Sequence, residues 1–168
     1  MNTHPLVARA IAAYSLLIRV ASCLKCPFLF LVRLYWGWSF FQTGKGKLSD
    51  LSRPTEYFAS LHIPFPAFNA VLAGATECIG GLLLIIGLGS RLISIPLAFL
   101  LCVAYVTADN EALHSIFSDP DKFLNAAEFQ FLFAVLIVLI FGPGAISLDH
   151  LIGKKFGPPA SKPTTPSA

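Results

Sequence analysis

One acidic residue interrupts the run Ala75-Thr76-Glu77-Cys78-Ile79-Gly80-Gly81-Leu82-Leu83-Leu84-Ile85-Ile86-Gly87, which is otherwise hydrocarbon and glycine. Burying an acidic residue such as Asp at the centre of a membrane helix costs about 2.5–3.5 kcal/mol, so a carboxylate here needs a partner, a proton or a function. Glu77 stands about 11 residues, or about 16 Å, beyond the helix-entry signal at Pro66, which places it near mid-bilayer. Arg33, inside the run PFLFLVRLYWGWSFFQT, is the expected cationic partner by depth. Such a pair can do two things. It can exchange a proton or contact a quinone carbonyl through Glu77, with Arg33 tuning the charge, or it can clamp two helices in register. Glu128, early in the last apolar run, is the second acidic candidate. Lys45 or Lys47 is expected within its reach, and its role is either snorkelling to the headgroups or proton entry. Tyr105, Asp109 and Gln130 could share that mouth.

The elements that must hold these residues follow from composition. Of 168 residues, 55% are hydrophobic and 12% charged, with mean hydropathy +0.71, against about 25% charged in soluble domains. Several fully apolar helices could not be hidden in so small a soluble domain. The expected fold is an all-α membrane protein, a four-transmembrane-helix bundle with an N-terminal interfacial helix. The crossings are read at about residues 27–43, 67–88, 92–108 and 123–141, the last closed by Gly142-Pro143-Gly144. Residues 6–24 (LVARAIAAYSLLIRVASCL) carry Arg9 and Arg19 among apolar positions and read as a helix lying in the membrane interface. The chain divides accordingly into an N-terminal segment (1–26), a membrane domain (27–152) and a Pro, Ser and Thr-rich tail (153–168) expected to be disordered. No cleaved signal peptide is read, so the first membrane segment is expected to act as its own signal. Arg9, Arg19, Lys25, Arg91, Lys154, Lys155 and Lys162 fall on the side of the termini, against Lys45, Lys47, Arg53 and Lys122. That bias places both termini on the cytoplasmic side of the membrane.

Other chemistries have weaker signals. The net charge of +3 is scattered, with no basic run interleaved with aromatics, so no nucleic-acid partner is expected. Cys23 and Cys26 have the Cys-x-x-Cys spacing beside Lys25, but no βαβ pattern surrounds them and the expected compartment is reducing. Cys78 and Cys102 read as small apolar fillers. His4, His62, His114 and His150 are scattered without an i, i+4 pair, so no metal site is expected. Ala70 and Gly74 form a small-xxx-small pair that lets a neighbouring helix come close. Tyr35, Trp36, Trp38, Phe40 and Phe41 could stack on a quinone ring or form an interface belt, and Trp36, Trp38 and Tyr105 are the cofactor-contact candidates.

One ordered set of elements points further. Arg33, Gly44-Lys45-Gly46-Lys47-Leu48, Tyr57-Phe58-Ala59-Ser60-Leu61-His62-Ile63-Pro64, Glu77 with Gly80-Gly81-Leu82-Leu83-Leu84, Gly87-Leu88-Gly89-Ser90-Arg91, Phe141-Gly142-Pro143-Gly144 and Ser147-Leu148-Asp149 succeed one another over about residues 28–152. In order and spacing the chain resembles the DoxX family of small bacterial and archaeal membrane proteins. The resemblance implies a four-helix membrane protein associated with redox systems, including thiosulfate:quinone or quinol-oxidising complexes. The expected role is an accessory or anchor subunit of a quinone-linked system. Its partners would be the lipid bilayer, soluble or membrane oxidoreductase subunits, or further copies of itself. No haem, flavin or iron–sulfur motif is visible, so the isolated chain is expected to need a partner or a bound quinone for activity. The alternatives are a small transporter component, in which Arg33 and Glu77 line a path, and a scaffold without chemistry.

Overall fold

Prolines and glycines punctuate the chain, and helices fill the intervals between them. The computed structural model describes residues 5–156, which are helical with no strand among them. The helices are α1 (Pro5–Ser49), α2 (Ser52–Ser60), α3 (Pro66–Ile86), α4 (Ser90–Thr107), α5 (Asn110–His114), α6 (Pro120–Asn125), α7 (Ala127–Phe141) and α8 (Leu148–Phe156). Pro66 and Pro120 open α3 and α6, where a missing N–H costs nothing. Gly87 and Gly89, at φ of 75° and 57°, turn the chain between α3 and α4 through the left-handed region that favours glycine.

Helix α1 differs most from the sequence-based expectation. It runs unbroken for 45 residues through Pro27, a length of about 67 Å and more than twice the roughly 30 Å of a bilayer's hydrocarbon. The segment read as a separate interfacial helix is therefore continuous with the first membrane helix. The Gly44-Lys45-Gly46-Lys47-Leu48 stretch, read as an exit from that helix, is its last turns. Only part of α1 is buried: Leu29, Arg33, Gly37, Phe40 and Gly44 recur at intervals of three and four and form one stripe. The large hydrophobic residues from Val7 to Leu24 remain exposed.

That stripe meets α3, which runs antiparallel, through glycines. A side-chain carbon on Gly81 would lie 2.5 Å from the carbonyl oxygen of Gly37, and one on Gly37 would lie 2.9 Å from that of Gly81. Gly44 sits equally close against the backbone of Gly74 and Cys78. Small residues seven apart on both helices, Gly37 and Gly44 against Gly81 and Gly74, thus let the two backbones touch. The core joins all four apolar helices: Phe40 from α1, Leu84 from α3, Leu97 and Leu101 from α4, and Val135 and Val138 from α7. Among the described residues three helices are long and apolar enough to cross a membrane: α1 over Ile11–Ser49, α3 and α4. The apolar helix α7 has 15 residues and starts at Ala127, because Ala126 adopts an extended conformation between α6 and α7.

At the chain's far end, residues 148–156 form α8, so Gly153–Phe156, assigned to the tail by sequence, are helical. The remainder of that tail lies outside the described residues.

Candidate functional site

The register between α1 and α3 decides where the charged residues go. With Gly44 against Gly74 and Cys78, and with Leu48 and the Lys47 stem against Gly74, the end of α1 lies beside the first half of α3. Lys47 therefore faces Glu77. Lys47 Nζ donates to Glu77 Oε1 at 2.6 Å, and the two side chains are 32% and 6% exposed. The second carboxylate oxygen, Glu77 Oε2, is buried with no hydrogen-bond partner among the described residues.

This corrects the expected pairing of Glu77 with Arg33. Arg33 is on the same face of α1 but at the other end of the contact, beside Gly87, where any side chain at position 87 would strike its guanidinium. Ten residues of α3 separate Glu77 from Gly87, about 15 Å along the helix. The depth estimate failed because it counts Arg33 from a helix start at Pro27, whereas α1 runs through that point and packs with Arg33 level with Gly87.

The Lys47–Glu77 pair opens on a cavity of about 730 Å³ at the end where α1 and α4 finish and α3 and α7 begin. Its walls are largely hydrocarbon and aromatic, with Phe40, Phe99 and Phe131 among them, and α2 with the connection to α3 covers it through Tyr57, Phe58 and Ile63. Glu128 lines the same cavity from α7. It lies within electrostatic reach of Asp109, just past the end of α4, and of Lys47. Lys47 is thus the cation between two carboxylates carried by different helices. Thr43 and Thr76 add hydroxyls to the lining. Chemically, the cavity offers one ammonium donor, one unpartnered buried acceptor and one further carboxyl group in a low-dielectric setting.

The aromatic candidates are placed differently. Trp36 packs edge-on against Phe131, ring centres 4.8 Å apart, and meets the cavity only through that ring. Trp38 points outward and is 54% exposed. Tyr105 is buried beside the cavity without lining it, its hydroxyl donating to the Phe123 carbonyl at 2.9 Å.

Arg33 belongs to a second cluster at the opposite end. It is 1% exposed, Nη2 donates to the Ile146 carbonyl, and Nε and Nη1 have no partner among the described residues. Asp149 lies within its electrostatic reach. Asp149 also accepts from the backbone N–H of Gly89 at 2.7 Å and of Ser90 at 3.0 Å, and its own N–H donates to Gly87 at 2.9 Å. A carboxylate brought from α8 thereby caps the positive end of α4. The Gly-Leu-Gly-Ser and Ser-Leu-Asp motifs, 60 residues apart, are two halves of one lock.

Cys23 and Cys26 are free thiols on the outer part of α1, and Cys78 and Cys102 are free as well. Among the described residues no group of three His, Cys, Asp or Glu is placed to hold a metal ion.

Residues 28–110, from α1 to the start of α5 and including Arg33, Lys47 and Glu77, match the family model described as DoxX. That segment is a DoxX domain. A relative named "Putative oxidoreductase CatD", from Bacillus subtilis (strain 168), is 29% identical over 131 residues, covering 76% of this chain and 90% of its own length. No solved structure gives a significant match. The DoxX match stops before Glu128 and Asp149, yet the fold joins both to the matched segment, Glu128 through the cavity and Asp149 through the α4 cap.

The sequence carries a signal of the α1–α3 seam, though not of the register that pairs Lys47 with Glu77. Glycines at 37 and 44 on one helix and at 74 and 81 on the next share a seven-residue spacing; the structure pairs 37 with 81 and 44 with 74, which brings position 77 within reach of the Lys47 side chain.

Proposed function

We propose that this chain is a membrane subunit of a quinone-linked redox system, with four crossings formed by α1, α3, α4 and α7, both termini cytoplasmic, in a bacterial inner membrane. The observation that carries the proposal is the buried Glu77 carboxylate. One oxygen is held by Lys47, and the other is unpartnered among the described residues, in the lining of an apolar cavity beside the first half of α3. An unsatisfied buried acceptor costs about 1–3 kcal/mol, and more when charged, so a ligand or proton that satisfies Oε2 is favoured there.

The residues fit a lipophilic ring bearing polar oxygens. Phe40, Phe99 and Phe131 supply apolar and aromatic wall, Lys47 supplies a donor to a carbonyl, and Glu77 Oε2 supplies an acceptor to a hydroxyl. A bound quinone would supply two-electron, two-proton chemistry, with the electrons exchanged with a partner oxidoreductase. The chain's own residues would orient that ring, keep bulk water out and hold a proton at Glu77 or Glu128. The name of the Bacillus relative supports an oxidoreductase setting.

Purification in mild detergent, followed by organic extraction and identification of co-purifying proteins, tests this reading. A quinone recovered near one per chain from wild type and lost from the Glu77→Gln variant, which should still assemble, is the expected result. An intact complex, competent in vivo, that yields neither a quinone nor an oxidoreductase subunit overturns it.

A further inference from the structure

Away from the cavity, Lys25 and Arg91 lie at the opposite end of the molecule. Lys25 is exposed on α1, with Nζ 5.5 Å from the centre of the Phe141 ring, at the last residue of α7. Arg91, at the start of α4, adjoins Gly142 and donates to the Ile140 carbonyl at 3.2 Å. Two positive side chains thus flank the end of α7, and neither has a carboxylate partner among the described residues. Asp149, the acidic group of this region, is committed to the α4 cap. α8 adds Lys154, together with the exposed apolar residues Leu151 and Ile152, as expected of a short helix lying at a membrane surface.

Beside Lys25 the surface is hydrocarbon. A groove of about 460 Å³ runs between α1 and the end of α7, lined by Ala21, Leu24, Phe28, Leu29 and Phe141, with Lys25 the charged group in its wall. Leu29, one helical turn inward, is the first fully buried residue of α1. The groove therefore begins where the helix packing begins and carries its amine about 6 Å further out. A slot for an alkyl chain with an unpaired ammonium at its rim matches one kind of occupant already present around such a protein.

We propose that the α1–α7 groove is a binding site for an anionic phospholipid, one acyl chain lying along Leu24, Phe28 and Phe141 and the phosphate held by Lys25, with Arg91 adding to the positive field. Basic positions between membrane helices attract anionic headgroups with about 1 kcal/mol per Lys or Arg near the surface. The cation–π contact with Phe141 keeps the lysine stem over the groove. The site does not depend on the cavity or on its ligand.

The full-length protein, purified in mild detergent from membranes containing phosphatidylglycerol and phosphatidylethanolamine, is extracted and its lipids are quantified by mass spectrometry. Wild type should retain phosphatidylglycerol above its share of the membrane. Lys25→Gln should lower that excess about fivefold, the factor corresponding to one lysine–headgroup attraction. Lys25→Arg should restore it, and Lys45→Gln, at the other end of the molecule, should leave it unchanged. In nanodiscs the wild-type Tm should rise when phosphatidylglycerol is added to phosphatidylcholine, and the Lys25→Gln Tm should not. Equal retention by wild type and Lys25→Gln, or an equal loss with Lys45→Gln, overturns the proposal.

Discussion

Lys47 on α1 holds Glu77 on α3 at 2.6 Å, and the pair ties the end of one helix to the first half of its antiparallel neighbour at the lining of the cavity. Glu77 is 4% exposed, so the pair acts in a medium where losing one partner matters more than on a surface.

Lys47→Met strands a buried carboxylate and should destabilise the protein, toward the low end of about 3–5 kcal/mol because the lysine is partly exposed. Glu77→Gln keeps an acceptor for Lys47 and should cost less. The combined Lys47→Met, Glu77→Leu variant should recover most of the loss, since an apolar pair of similar volume replaces the charges. Thermal unfolding in detergent reports all three; a double variant no more stable than Lys47→Met alone would contradict a simple ion-pair role.

The glycine seam makes a position-specific prediction. Gly44→Ala puts a methyl group into the backbone of Gly74 and Cys78, and Gly81→Ala does the same against Gly37 and Phe41, so each should cost at least about 1–3 kcal/mol by overpacking. Gly46→Ala, two residues from Gly44, meets nothing within 4 Å and should be neutral or gain up to about 1 kcal/mol from helix propensity. The opposite signs of neighbouring substitutions, measured by the same melts, check the α1–α3 register.

Asp149→Ala removes the acceptor for two N–H groups at the start of α4 and a negative charge near buried Arg33. A loss of about 1.5–3 kcal/mol is expected for charged hydrogen bonds of this kind. Amide exchange should rise at Gly89 and Ser90, while ligand retention by the folded fraction should not change because the cavity lies at the other end. A parallel loss of ligand would show that the two ends are coupled.

The short helices at the cavity end should respond to acid. The hydrogen bond and charge of Lys122, 2.9 Å away, hold the Glu111 carboxyl below its ordinary value. A folded pKa below the unfolded one means that the contribution is present above the unfolded pKa and is lost as pH falls through the folded pKa. Amide protection across residues 110–125, with the intrinsic pH dependence of exchange divided out, should therefore fall on acidification through the carboxylate range, and Glu111→Gln should flatten that dependence. An unchanged profile in the variant would assign the response to another group.

Much of this protein was legible locally. Hydropathy is a property of contiguous residues, so the apolar helices, the break at Gly87–Gly89 and the stop at Gly142 could be read directly. So could the exceptional status of Glu77, Arg33 and Glu128, because an ionisable residue in an apolar run is conspicuous wherever the run ends up. The limits of α1 were not legible, because Gly44 and Gly46 look like an exit signal until Gly44 is seen against Gly74, where its lack of a side chain serves packing.

Sequence by itself determined that the chain is helical and lipid-compatible, and that Arg33, Glu77 and Glu128 are charged residues set in apolar runs and in need of partners. The partners were decided by tertiary structure alone. Lys47 belongs to Glu77 because the glycine seam slides α1 along α3 to that register, and Arg33 belongs with Ile146 and Asp149 because the same register carries it to the other end. Depth along a single helix is a one-dimensional quantity, whereas a salt bridge needs two helices aligned to within a turn, and that alignment is set by the closest approach of their backbones.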